Sequence, residues 1–141
     1  MADFSVSEVS LVGTGATQTG RAVKMTNCDK VVLSFIVTIG SALTTGPSTL
    51  VLGGTNDDAR AIDSSATLPT LTTSSAISAL PANVTLTAGV LSFATTVATG
   101  THEICIAYSA VPKFVRPVWT LGGGGGTMTT QVTIAGWSTS T

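Results

Sequence analysis

The sequence predicts an all-β fold: an antiparallel β-sandwich, jelly-roll or Ig-like, of about nine short strands. Three observations carry that expectation. Apolar and polar residues alternate with period two along the apolar stretches, turn residues recur about every ten positions, and no segment sustains the helical period. Composition agrees, because roughly three residues in ten are Ser or Thr and β-branched Thr suits a pleated surface.

Taken in order, Phe4, Val6 and Glu8 define one face of an N-terminal strand that runs to the turn Gly13-Thr14-Gly15. Ala22 to Met25 is a short second strand. Val31, Leu33, Phe35, Val37 and Ile39 form the cleanest alternation in the chain, with Val32, Ser34, Ile36 and Thr38 on the opposite face. Gly46-Pro47 then turns the chain, since Pro cannot continue a central strand. Thr49 to Leu52 is the next strand, closed by Gly53-Gly54. Val84 to Thr87 and Val90 to Phe93 flank Ala88-Gly89, a two-residue hairpin loop. Glu103 to Ser109, Phe114 to Leu121 and Met128 to Gly136 complete the set. The expected core holds Leu33, Phe35, Val37, Ile104, Ile106, Val115 and Ile134.

Two stretches stand outside the alternation. Ala59 to Ala82 is rich in Ser, Thr and Ala, contains Pro69 and Pro81, and is longer than an ordinary connection. Within it, Ala76, Ile77 and Leu80 fall at helical spacing, so one helical turn in Ser74 to Leu80 is the alternative to an irregular path. The five glycines Gly122 to Gly126 join the last two strands as a wide tip whose entropy cost is recovered only on contact. The 141 residues thus read as a single domain with an N-terminal arm over 1–12 and a long connection over 59–82.

Charge is the feature that narrows function. Only 9% of residues are charged, against about a quarter in an ordinary globular domain. A surface built from hydroxyls is cheaper to desolvate than one built from Lys and Glu, so it can be covered by neighbours. That marks a building block of an assembly. The net charge of −1, with six scattered Lys and Arg, leaves no footprint for nucleic acid. No apolar run reaches the ~18 residues of a membrane span. Met1-Ala2-Asp3-Phe4 lacks the basic and apolar regions of a secretory signal. In a cytosolically made chain, Cys28 and Cys105 are expected as buried thiols ahead of a disulfide.

The residues that carry chemistry elsewhere have plainer readings here. His102 and Glu103 are consecutive in a strand and point to opposite faces, and nothing nearby resembles a nucleophile with its turn. Asp57, Asp58 and Asp63, beside Asn56, lack the ligand order and Gly turn of a calcium loop and read as a solvated loop. Gly122 to Gly126 has no Lys-Ser/Thr and no helix after it, and Gly13-Thr14-Gly15-Ala16-Thr17 fails as a nucleotide fingerprint on the same ground. Asn83-Val84-Thr85 is an incidental glycosylation sequon. Lys113-Phe114-Val115-Arg116 interleaves cations with an aromatic as single-strand binders do, but two charges are too few. Trp119 and Trp137 are core anchors or, failing that, interface anchors. No catalytic residue, metal ligand or cofactor is expected.

The C-terminal half carries a resemblance. Glu103-Ile104-Cys105-Ile106-Ala107-Tyr108, a short turn, Lys113-Phe114-Val115-Arg116-Pro117-Val118-Trp119-Thr120, a Gly/Thr loop and Gln131-Val132-Thr133-Ile134-Ala135-Gly136 together resemble a group of small structural proteins of tailed bacteriophages. Val31 to Ile39, Thr49-Leu50-Val51-Leu52 and Asn56-Asp57-Asp58 are similar to that group's hydrophobic strand, second strand and acidic loop. The resemblance implies a virion component with a β-sandwich fold and no catalytic residues, assembled in the cytoplasm of a bacterial host. For a chain of this length it implies a capsid decoration or cement protein, a dimer or trimer seated on the major capsid protein where shell subunits meet, without nucleic acid or membrane. The alternatives are a tail or head–tail junction component and a carbohydrate-binding sandwich module. Contacts are expected from Ala2 to Leu11, from Ala59 to Ala82 and from the glycine tip, through Phe4, Val6, Leu11, Leu68, Leu71, Ile77, Gly124 and Trp137.

Overall fold

A computed structural model describes residues 4–13, 17–25, 28–41, 44–122 and 127–137, the side chains of 4–13 and 137 excepted. Among them are eleven strands: β1 (Phe4–Gly13), β2 (Thr17–Thr19), β3 (Val23–Lys24), β4 (Lys30–Ser41), β5 (Ser48–Thr55), β6 (Ser74–Ala76), β7 (Val84–Thr87), β8 (Val90–Phe93), β9 (Gly100–Ser109), β10 (Phe114–Thr120) and β11 (Thr127–Trp137). One short helix, α1 (Asp58–Ile62), lies between β5 and β6. The period-two reading holds where it was strongest: β4 buries Val31, Leu33, Phe35, Val37 and Ile39 and turns the intervening residues outward. All seven residues expected in the core are buried.

The strands form two antiparallel sheets, ordered β1-β11-β4-β9-β6 and β2-β10-β5-β8-β7, with β3 also pairing with β10. The two orders match place by place. β1 and β2, β4 and β5, β6 and β7, β8 and β9, and β10 and β11 each hold the same position in opposite sheets. Every place in the sandwich is therefore a pair of consecutive strands that crosses from one sheet to the other. That winding is a jelly roll, and it decides between the two sandwich types expected from sequence.

The core is the space between the sheets. Phe35 of the first sheet meets Phe93 and Trp119 of the second edge-to-face, with ring centroids 5.9 and 5.7 Å apart, and Phe93 and Trp119 meet each other in the same way at 5.5 Å. Such pairs add about 0.5–1.5 kcal/mol each beyond the area they bury. Trp119 is thus a core anchor, and its Nε1 has no acceptor among the described residues. Tyr108 reaches across from β9 and donates its hydroxyl to Gly89 O at 3.3 Å. Cys28 packs inward beside Gly136 and Met25, whereas Cys105 lies on the outer face opposite Ser34, its Sγ 3.5 Å from the Ser34 Oγ. Both cysteines are thiols, and only Cys28 is fully buried.

The structure adds detail to three sequence expectations. Of the segment expected as an arm over 1–12, residues 4–13 form β1, which pairs with β11 of its own chain over ten registered positions, from Phe4 opposite Trp137 to Gly13 opposite Met128. The 59–82 connection is largely ordered. Asp57 caps α1 by accepting the Ala59 N–H at 2.9 Å, and 69–71 pairs along β5 through Gly54 N–H to Pro69 O and Leu71 N–H to Leu52 O. The helical turn weighed for Ser74 to Leu80 is instead β6, paired with β9, because the unpaired side of β9 supplies ladder partners that local spacing cannot reveal.

Candidate interaction surfaces

The outward residues of the first sheet come from one phase of each strand. Val32, Ser34, Ile36 and Thr38 of β4 stand beside Thr101, Glu103, Cys105 and Ala107 of β9 and beside Thr129, Gln131, Thr133 and Ala135 of β11. Glu103 is the one charge among these twelve, and all of them are exposed or half-buried. The second sheet carries an unbroken row of hydroxyl residues, Thr17, Thr120, Thr49, Ser92 and Thr85, in register across β2, β10, β5, β8 and β7. Both faces offer methyls and hydroxyls with little charge, so covering either would desolvate few ions.

The sheet edges differ in length. β2, β6 and β7 are edges of three or four residues, whereas β1 runs for ten. Among the described residues β11 is the only strand paired with β1. An antiparallel strand directs alternate backbone groups to each side, so half of those in β1 face away from β11. Glu8 is its single charge and it holds no Pro, the residues with which edges are commonly blunted.

The expected contact residues are distributed unevenly. Phe4, Val6 and Leu11 stand opposite Trp137, Ala135 and Thr130 in the β1–β11 register. Ile77 is exposed, and its N–H donates to Cys105 O at the rim of the first sheet. Leu71 is half-buried against the core, and Leu68 is buried over Gly53, where 69–71 pairs with β5. Gly124 lies outside the described residues, as does the side chain of Trp137.

The second sheet is broken where sequence reading gave no warning. β10 pairs with β2 through Val118 to Thr120 and with β3 through Phe114 and Val115. Residues 20–22 between them lie beside Arg116 and Pro117, and Pro117 has no N–H to offer a neighbouring strand. Arg116 is 3% exposed. Its Nη2 donates to Ala61 O at 2.6 Å and its Nη1 to Ala66 O at 3.3 Å, pinning α1 and the segment after it onto the sheet. Nothing in Lys113-Phe114-Val115-Arg116 announces this, because both carbonyls lie some fifty residues away in sequence.

The acidic residues expected in a solvated loop have local duties. Asp57 caps α1, and the exposed Asp58 pairs with Lys113 at 2.6 Å. Asp63 accepts from the Ser65 hydroxyl and N–H, which together with the Arg116 charge hold its carboxyl below the usual range. The His102 ring nitrogen Nε2 lies 2.7 Å from Ala98 O. Among the described residues no three His, Cys, Asp or Glu gather as metal ligands would, and no helix is long and apolar enough to cross a membrane. A comparison with protein-family models finds no match, and a search of the curated proteins finds none either.

Proposed function

We propose that this chain is a non-enzymatic structural subunit of a virion, a decoration or cement protein that self-associates and seats on the major capsid protein where shell subunits meet. The observation that carries the reading is the ten-residue edge of β1 in a chain with so few charges. An edge of that length is a template for strand addition, and sheet faces of Thr, Ser, Ala and Val can be covered at small desolvation cost. A cement protein binds the assembled lattice better than its free subunits, so its contact energy adds to the intact state alone. Jelly rolls are used by viral capsid proteins and by lectins alike, so the fold supports the reading by analogy and does not choose between those uses.

The test is location. Particles from the bacterial host that makes this chain are labelled with an antibody against it and imaged by electron microscopy. Label spread over the shell at subunit junctions is the expected result. Label confined to the tail or its junction with the head transfers the protein to that structure, and unlabelled particles remove the virion reading.

A further inference from the structure

Among the described residues β1 is an edge of ten residues, and the other sheet edges, β2, β6 and β7, run for three or four. A second copy of the chain therefore matches the length of β1 with its own β1 and with no other of these edges. β1 holds neither Pro nor Lys, and an edge without them is a template for open-ended association. Pairing β1 with itself about a two-fold axis is self-complementary and closes, because each copy uses its long edge on the other. The joined sheet then ends on both sides in β6, an edge of three residues.

Register follows from phase and charge. A two-fold axis perpendicular to the sheet runs the two strands antiparallel and keeps the outer faces of both copies on one side. Positions of β1 then pair only with positions of the same phase, so one residue meets its own copy on the axis. Positions 6, 8, 10 and 12 share the outer phase with Ala135, Thr133, Gln131 and Thr129. Two such registers pair all but one residue of β1. One centres on Glu8 and sets the two Glu8 positions directly opposite, which is destabilising. The other centres on Val9. It sets Val6 opposite Val12 and Glu8 opposite Ser10, and moves the two Glu8 positions to a diagonal about 7–8 Å apart.

We propose that β1 is the homodimer interface of this chain: two copies pair β1 with β1, antiparallel and centred on Val9, into one continuous sheet. The inference deepens the proposed function and rests on its self-association, not on its virion setting. A single strand-to-strand seam falls at or below the lower end of the ~1,200–2,000 Å² of a standard interface. The dimer is accordingly weak in solution and populated at high protein concentration.

The experiment is sedimentation equilibrium of the purified full chain from micromolar to millimolar concentration, with amide exchange along β1 at both ends of that range. A monomer–dimer equilibrium is expected, with the fast-exchanging amides between Ser5 and Gly13 protected at the high end. Ser10 is the diagnostic position, since within its own chain it stands opposite the exposed Gln131 and in the dimer it stands opposite Glu8 of the second copy. Ser10→Lys should tighten the dimer about fivefold, and Ser10→Glu should loosen it by a similar factor. A damaged fold would move both variants the same way, so the opposite signs identify the contact. The proposal is overturned by a chain that stays monomeric at millimolar concentration with fast β1 amides, or by a dimer whose strength neither variant changes. Label over the shell from a chain that stays monomeric overturns this inference alone, whereas a dimer absent from particles removes the virion reading alone.

Discussion

On the flank that carries β6 and β7 the chain laces the two sheets together, whereas on the flank that carries β1 and β2 it leaves a ten-residue edge with no strand beyond it among the described residues. The laced flank is made by one continuous segment. Pro69 and Leu71 bond to β5 of the second sheet, and a few residues later Thr73 and Ile77 bond to β9 of the first. Gly89 packs under this segment with φ +80, and a Cβ there would stand 1.8 Å from Leu71 O. Tyr108 O–H to Gly89 O fastens the same corner from inside. One segment carried from sheet to sheet thus covers the free sides of β5 and β9 and leaves only the short edges β6 and β7 on that flank, whereas the other flank keeps the long edge of β1. On the account proposed above, the other edge is closed by a neighbour.

Phe35→Ala gives the largest expected effect and is the reference for both flanks, because the ring lies between the sheets. It should cost about 3–5 kcal/mol, a large share of the stability of a domain this size. Urea denaturation checks it, and a loss under about 1 kcal/mol means that the aromatic cluster does not join the sheets.

The laced flank should be sensitive to alkali through Tyr108, whose phenol is pushed up to about 12 by burial. Below about pH 10 the phenol is neutral in both the folded and the unfolded chain, and its contribution is complete. From there to about pH 12 the unfolded chain gives up its proton first, so stability falls by about 1.4 kcal/mol per pH unit. Tyr108→Phe should remove that part of the slope, and an unchanged slope places the loss elsewhere.

How much of this was legible in the sequence depends on where each residue finds its partner. Val31 to Ile39 announces β4 because both faces are encoded by the residues themselves, and Ala88-Gly89 announces its hairpin for the same local reason. Ser74 to Ala76 gives no such signal. Its three small residues become a strand only because β9 offers an unpaired side, while the helical spacing of Ala76, Ile77 and Leu80 points the wrong way. Phe4 to Leu11 was legible as a strand, but not as one that pairs with β11 more than a hundred residues later. Of the site residues, Arg116 is the clearest failure. A lone Arg in an apolar strand reads as a surface charge until α1 is placed over it.

Two smaller effects sharpen the comparison. Gly89→Ala should destabilise by about 1–3 kcal/mol, since it combines a positive φ with a clash against the Leu71 carbonyl. Thermal unfolding reads it, and a neutral outcome means that the 69–77 segment does not rest on this turn. In the same loop Ala88 holds φ 48, where Asn is better tolerated. Ala88→Asn should therefore stabilise by about 0.5 kcal/mol, and a loss of stability means that the loop does not hold this conformation in solution.

The open edge is tested most directly by amide hydrogen exchange along β1, measured in the dilute isolated chain and again in purified particles that carry it. In the isolated chain alternate amides between Phe4 and Gly13 should exchange fast while those bonded to β11 are slow, and in the particle the fast set should become protected. A fast set that stays fast in fully occupied particles contradicts the claim that a neighbour closes this edge.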